Sequence, residues 1–301
     1  MPIQLDLNPA FQKAVDIIEN TNRHLFITGK AGAGKSTLLT YCLEHCQKNI
    51  VVLAPTGVAA LNVCGQTIHR FFGFPINVSV EKINGGRVTP RAKRIYQRLQ
   101  TLIIDEVSML RADILDCVDA FLRLYGPVKD APFGGVQMIF VGDLYQLPPV
   151  VSQQEHQLFL EHYASPYFFS ADVFKAIPLE VVELTKIYRQ KDASFIELLS
   201  RIRSNQINFD DVKLLNSRLH APSADGFRIS LTTTNRLADQ INQDNLNRLP
   251  GSLYCAEAVI DGNFTPEYYP AAQKLEFKPD AQIMFCLLYT SPSPRDRQKS
   301  R

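Results

Sequence analysis

Short continuous apolar runs alternate with segments of helical period along the first half of the chain. HLFITG (24–29), NIVVLAP (49–55), TLIIDEV (101–107) and VQMIFVGD (136–143) are too short for helices and rich in β-branched residues. That is the pattern of strands buried on both faces. Between them the pattern changes to the helical period. Asn8 before Pro9 is a helix start, with an N-capping side chain and proline at the first helical position. The helix through AFQKAVDIIEN carries Phe11, Ala14, Val15 and Ile18 on one face. Further helices are predicted from Lys35 to about Gln47, over GVAALNV, and from Met109 to about Tyr125. Apolar strands alternating with helices predict the α/β class, with a parallel, doubly wound sheet.

Two stretches depart from this rhythm. Residues 71–95 mix turn formers with basic residues and are expected to form a small inserted subdomain. A new pattern opens near Pro178: a strand and turn in VVELTKIYRQ, helices in FIELLSRIRSN and DDVKLLNSRLH, a strand in RISLTTTN (228–235), then a helix over LADQINQDNLNRL. The expected division is a first domain over 1–177 and a partial second α/β domain over 178–285, with EFKPDAQIMF its last strand-like segment. The Ser/Pro/Arg-rich residues 286–301 read as a disordered basic tail, an artefactual end to a truncated frame.

The bulk numbers narrow the class without naming a function. At 301 residues, 46% hydrophobic and 21% charged, the chain suits a soluble globular protein of two domains. No apolar run approaches a membrane span, and MPIQLDLNPAFQ lacks the features of a signal peptide. Cys42, Cys46, Cys64, Cys117, Cys255 and Cys286 form no CxxC pair, so a reducing compartment is expected and secretion is not. The net charge is +2, and four basic residues against one acidic lie in the last fifteen. Any nucleic-acid contact must therefore use a local groove rather than the overall field.

Three segments carry candidate chemistry. Gly29-x-x-x-x-Gly34-Lys35-Ser36 sits between a strand and a helix, where glycines let backbone N–H groups turn around phosphate oxygens. Gly29, Ala31, Gly32, Ala33, Gly34, Lys35, Ser36 and Thr37 are the expected nucleotide contacts, with Lys35 on the β/γ-phosphates and Ser36 on Mg²⁺. A glycine-rich strand–helix turn matching by chance is the alternative. Asp105 and Glu106 end an apolar strand, and adjacent carboxylates there suit a metal ligand (Asp105) and a water-orienting base (Glu106). A solvated helix cap would use the same residues. Asp143 and Gln146 follow the fourth strand; a neutral amide that both accepts and donates suits a sensor of the γ-phosphate, and an ordinary loop suits it equally. ATP and Mg²⁺ are the expected cofactors.

GKAGAGKST, APTGVAALNVCGQTIHRFF, LIIDEVSML, VGDLYQLPPV and LTKIYRQKDASFIELLSRIR stand in the order found in PIF-type (petite integration frequency) DNA helicases. These form the RecD-like, 5′-to-3′ branch of helicase superfamily one, and the chain resembles them over roughly residues 5–285. The resemblance implies a RecA-like first domain and a second RecA-like domain, here incomplete, closing on ATP and moving along single-stranded DNA. It implies roles in DNA repair, recombination or telomere maintenance, with single-stranded DNA and forks as partners and no membrane; the oligomeric state is left open, a monomer being favoured. A cytoplasmic site would follow in a prokaryote or virus, a nuclear or mitochondrial one in a eukaryote.

By the same resemblance Gln12 reads adenine and Arg189 supplies positive charge to the transferring phosphoryl group. Pro55, Thr56, Gly57, Thr67, His69 and Asn235 line the DNA path. Phe71 and Phe72 could supply a stacking wedge. Plainer alternatives are a surface glutamine for Gln12, a surface ion pair for Arg189, a helix N-cap for Asn235, and core packing for Phe71 and Phe72. Two rival functions stay open, a P-loop enzyme that never touches DNA and a binding fragment without turnover; RNA unwinding is a further one. In the family the chain continues into an inserted barrel and two more motifs that have no counterpart here, so this form is expected to bind nucleotide and unwind poorly or not at all.

Overall fold

The computed structural model describes residues 8–63, 65–151, 153–186, 193–217, 219, 229–260 and 272–283. They divide into two compact units, Met1–Asn216 and Ser217–Arg301. The first is built on a six-stranded sheet in the order β3-β2-β4-β5-β1-β6, all parallel. Its strands are β1 (Leu25–Gly29), β2 (Ile50–Ala54), β3 (Gln66–Thr67), β4 (Thr101–Ile104), β5 (Gln137–Gly142) and β6 (Glu180–Leu184). Every residue of β4 and β5 is buried, as an apolar run covered on both faces must be.

Helices cover the sheet in chain order. They are α1 (Pro9–Asn20), α2 (Lys35–His45), α3 (Gly57–Asn62), α4 (Ile68–Phe72), α5 (Val80–Asn84), α6 (Lys93–Gln97), α7 (Ala112–Tyr125), α8 (Gln153–His162), α9 (Ala193–Arg203) and α10 (Phe209–Asn216). α1 begins as expected, with the Asn8 side chain accepting from Phe11 N at 2.9 Å and Pro9 in the first turn. Its buried face is Phe11, Ala14, Ile17 and Ile18; Ile17 takes the place expected for Val15, which is half-buried. This face shares a core with Ala33, Leu38 and Leu39, so α1 braces the Gly29–Lys35 loop from behind.

Two expectations about organisation are corrected. Residues 71–95 do not project from the sheet. Ile83, Val88 and Tyr96 are buried in one core with Phe72, Phe74 and Phe121. Phe72 stacks on Phe74 with ring centroids 5.1 Å apart, and Tyr96 Oη donates to Phe71 O at 2.6 Å. Phe72 is thus core, and the turn-rich composition of this stretch reflects short helices, not separation. The boundary at 177/178 also moves. β6 pairs with β1 from Leu25↔Glu180 to Gly29↔Leu184, so the strand expected to open a second domain closes the first sheet. α9 and α10 follow in the same unit, joined by Arg201 Nε donating to Asp211 Oδ2 at 2.8 Å.

The second unit contains α11 (Asn235–Arg248) and an antiparallel pair, β7 (Tyr254–Glu257) with β8 (Lys274–Phe277). The strand expected over 228–235 is not formed in its described part. Ile229 and Leu231 are exposed, and the chain runs from there directly into α11. The last expected strand starts at Lys274 and ends at Phe277, before most of the EFKPDAQIMF segment. No helix among the described residues is long and apolar enough to cross a membrane.

Polar groups inside the first unit are spent on tying elements together. Gln137, 1% exposed, accepts from Lys48 Nζ and Thr101 Oγ1, both at 3.0 Å, and donates to Ile17 O and Arg23 O, both at 2.9 Å. One amide thereby joins β4, β5, the end of α1 and the start of β2. Asp116 and Asp119 point inward from α7: Asp116 accepts from Asp172 N at 2.9 Å and Val173 N at 3.1 Å, and Asp119 accepts from Phe133 N at 2.6 Å.

Gln137→Leu keeps the volume but removes four hydrogen bonds, two of them fully buried, and each unsatisfied buried group costs roughly 1–3 kcal/mol. A loss of about 3 kcal/mol or more, read as a lower urea midpoint with unchanged slope, is expected. Cys42 and Cys117 are buried, and burial pushes both thiols up, Cys117 to about 12. Peptide mapping after iodoacetamide at pH 8 should show exposed Cys255 labelled in the native protein and these two labelled only after unfolding.

Candidate nucleotide site

The site is assembled at one edge of the sheet, where the parallel strands end and the chain turns outward. β1 delivers the loop Lys30–Gly34, and α2 begins at Lys35. Gly29 is required by close approach, because a Cβ there would lie 2.5 Å from Leu184 O on β6. Gly34 caps α2 in the left-handed region at φ 90°, which a side chain would strain. Lys35 Nζ donates to Gly29 O at 2.7 Å and to Lys30 O at 3.2 Å, so the side chain folds back along the loop. Burial lowers the Lys35 pKa, and the negative charges of Asp143, Glu106 and Asp105 oppose that shift. Three carboxylates from two other strand ends therefore share the field of this ammonium.

β4 delivers the next pair. Asp105 N donates to Leu53 O at 2.9 Å, continuing the β2–β4 ladder one residue beyond the strand. The Asp105 carboxyl is 7% exposed, and burial pushes its pKa up to about 6, with the Glu106 charge adding and Lys35 opposing. Glu106 adopts φ 49°, ψ 43°, a left-handed conformation that costs a non-glycine residue roughly 1 kcal/mol. The twist separates the two adjacent carboxylates: Asp105 stays under the sheet edge, and Glu106 lines a cavity of about 210 Å³ with Thr56, Asn62, Ser108 and Gln146. Ser108 Oγ, in the same cavity, is buried and has no hydrogen-bond partner among the described residues.

β5 delivers Asp143, whose side chain is 1% exposed. Tyr145 N donates to its carboxylate at 3.2 Å, and Gln146 Nε2 lies 3.5 Å from it. Arg203, at the end of α9, chelates the same carboxylate through Nε at 3.0 Å and Nη2 at 2.9 Å. Burial raises the Asp143 pKa, but these hydrogen bonds outweigh it and hold the group below its ordinary value. α9 also reaches the phosphate loop, with Lys30 Nζ donating to Ser200 Oγ at 3.0 Å. A second cleft, of about 300 Å³, lies between Lys30 and Ala31 on one side and Ser200 and Arg203 on the other.

The structure thus brings Lys35, Asp105, Glu106 and Gln146 to one edge, with Ser36 and Thr37 exposed in the first turn of α2. Gln12 lies on the exposed side of α1. Thr56 and Thr67 act as N-caps, accepting from Ala59 N and Arg70 N, both at 3.3 Å. Gly57 has open space where a Cβ would be, and Pro55 is half-buried. His69 packs edge-on against Phe74, and burial lowers its pKa. Asn235 is the first residue of α11, and its expected alternative role as N-cap belongs to Thr234 instead, which accepts from Leu237 N at 3.4 Å. Arg189 lies outside the described residues. Sequence reasoning missed Arg203 as a member of the site. Two arginines stand two apart in SRIR, and only packing decides that Arg201 meets Asp211 while Arg203 meets Asp143.

Comparison with known proteins points to one family. Residues 5–213 match the model of the PIF1-like helicase family. The ATP-dependent DNA helicase RRM3 of Saccharomyces cerevisiae is 31% identical over 293 residues, which cover 91% of this chain and 39% of that protein. A Bacteroides Pif1 structure bound to single-stranded DNA superposes with a TM-score of 0.81 at 36% identity, covering 91% of this chain and 64% of that one. The Bacteroides Pif1 complex with ADP-AlF3 and single-stranded DNA gives 0.78 at the same identity and coverage. The chain thus spans under two thirds of the length of these relatives. With the Gly29–Lys35 loop, the paired carboxylates and the Asp143–Gln146 turn all at one edge of a RecA-like sheet, the chain belongs to the PIF1-like helicase family.

Proposed function

We propose that this chain is the ATP-hydrolysing part of a DNA helicase that moves 5′ to 3′ on single-stranded DNA and opens duplexes in genome maintenance. The observation that carries the reading is the gathering of Lys35, Asp105, Glu106 and Asp143 at neighbouring strand ends. Backbone N–H groups of Ala31–Thr37 face the phosphates, and Lys35 exchanges its carbonyl partners for β/γ-phosphate oxygens. Gln12 meets the adenine edge. Glu106 orients the attacking water and accepts its proton as the new P–O bond forms and the bond to ADP breaks. Gln146 contacts the γ-phosphate, and Arg189 neutralises charge developing on it.

The Ser36 hydroxyl and the Asp105 carboxylate offer hard oxygen ligands of the kind Mg²⁺ takes together with substrate phosphates. The buried Asp105 carboxyl, pushed up to about 6, is a group that a divalent cation would stabilise in its charged form. Among the described residues no cluster of three or more His, Cys, Asp or Glu could hold a metal by itself, which suits an ion that arrives with its nucleotide. When bound, the ion neutralises phosphate charge.

Single-stranded DNA crosses the outer ends of β2 and β3, along Pro55, Thr56, Gly57, Thr67 and His69; Asn235, at the start of α11, is a separate DNA contact by the family resemblance. A link from that track to hydrolysis is supported by Thr56 lining the same cavity as Glu106 and Gln146. The unit starting at Ser217 opens the second RecA-like domain, a boundary later than 178.

Two measurements test this reading. Lys35→Ala should weaken ATP binding at least about tenfold, whereas Glu106→Gln should keep binding and lower hydrolysis roughly 10²–10⁴-fold. Equal residual hydrolysis in both variants would show that turnover occurs elsewhere. Single-stranded DNA should raise the ATPase rate of the unmodified chain; hydrolysis indifferent to DNA would favour a P-loop ATPase that acts on another substrate.

A further inference from the structure

Asp143 is a hub with more partners than a turn requires. Its carboxylate is 1% exposed and receives Tyr145 N, the Gln146 amide, and Nε and Nη2 of Arg203. Gln146 N also donates to Asp143 O at 2.9 Å, so residues 143–146 form one tight turn. The Arg203 guanidinium lies 4.1 Å over the Tyr145 ring, clamping the turn from outside as well as through its carboxylate. Gln146 itself lines both cavities, between the phosphate loop on one side and Thr56 and Glu106 on the other.

The strengths of these contacts are unequal. Arg203 meets Asp143 at 2.9–3.2 Å in a charged fork, while the Gln146 amide stands at 3.5 Å, the limit of a hydrogen bond. With Arg203 in place the carboxylate is satisfied, and the amide is available to another acceptor at little cost. Without it, a buried negative charge would have only Tyr145 N and the Gln146 amide among its hydrogen-bond donors in the described structure. It would draw the amide in, and its charge, then opposed by Lys35 without the Arg203 fork, would stand beside the terminal phosphate.

We propose that Arg203 is a positioning residue that frees Gln146 to read the terminal phosphate, so that preference for a nucleoside triphosphate over a diphosphate depends on a contact made by α9. The inference rests on the nucleotide-binding reading above. Both consequences of losing Arg203 fall on the γ-phosphate: Gln146 is withdrawn from it, and the bare Asp143 carboxylate repels it. The diphosphate, held by the loop and Lys35, is affected less. The Lys30–Ser200 contact gives α9 a second hold on the loop.

The test is the ratio of affinities for a non-hydrolysable ATP analogue and for ADP, measured by calorimetry on the full chain. Arg203→Gln should weaken analogue binding about tenfold and ADP binding less than about threefold, with the melting temperature measured alongside. Arg203→Lys should recover only part of the ratio, because an ammonium cannot reproduce the fork. Asp143→Asn placed on Arg203→Gln should restore analogue binding to within about threefold, since the buried charge is gone. Equal loss for both nucleotides, or an unchanged ratio, would overturn the proposal. If Arg203→Gln does not fold, Arg203→Lys and Asp143→Asn read the same ratio. An unmodified chain that binds neither nucleotide would instead overturn the nucleotide-site reading itself.

Discussion

Strands buried on both faces leave polar groups nowhere to go but the strand ends, and this constraint organises the first unit. β4 and β5 carry no exposed residue, so the sheet interior offers no place for an unpaired charge. The two edges of the sheet then divide the work. At the N-terminal edge Gln137, Thr101 and Lys48 satisfy one another and the end of α1, closing the structure. At the C-terminal edge Lys35, Asp105, Glu106 and Asp143 face a common space with their charges only partly matched. The first network ties elements together, and the second is the proposed nucleotide site.

That partial matching has a measurable signature. Asp105 is raised towards neutrality while Asp143, equally buried from solvent, is held below its ordinary value. The difference is Arg203. One carboxylate is left in need of a cation, and the other is supplied with one from a distant helix. Two acidic residues at the ends of neighbouring strands are thereby separated into a candidate metal ligand and a structural hub. Glu106 is set apart from both by its left-handed backbone, which turns it into the cavity shared with Thr56 and Gln146.

Much of the site was legible because its motifs are local. A phosphate loop needs consecutive residues of one short turn, and Gly29, Gly34 and Lys35 state their geometry in their spacing. Asp105–Glu106 and Asp143–Gln146 are likewise single strand ends. The expected domain boundary failed for a different reason. VVELTKIYRQ reads equally well as the first strand of a new sheet or the last of an old one, and only its pairing with β1 decides. Residues 71–95 misled in a related way: short helices separated by glycines look like an excursion until Ile83, Val88 and Tyr96 are seen in the core.

By itself the sequence determined the class of the fold, the four core strands of the first sheet and the strand end at which each candidate motif sits, because period and local turn chemistry act over a few residues. Tertiary structure alone decided which charges meet. Arg201 and Arg203 are indistinguishable in SRIR, yet two positions on a helix are about 200° apart, and one faces Asp211 while the other faces Asp143. Asp116 and Asp119 look like solvated helix positions and are instead inward acceptors for backbone N–H groups. Long-range pairing depends on where a distant element packs, and no local pattern carries that information.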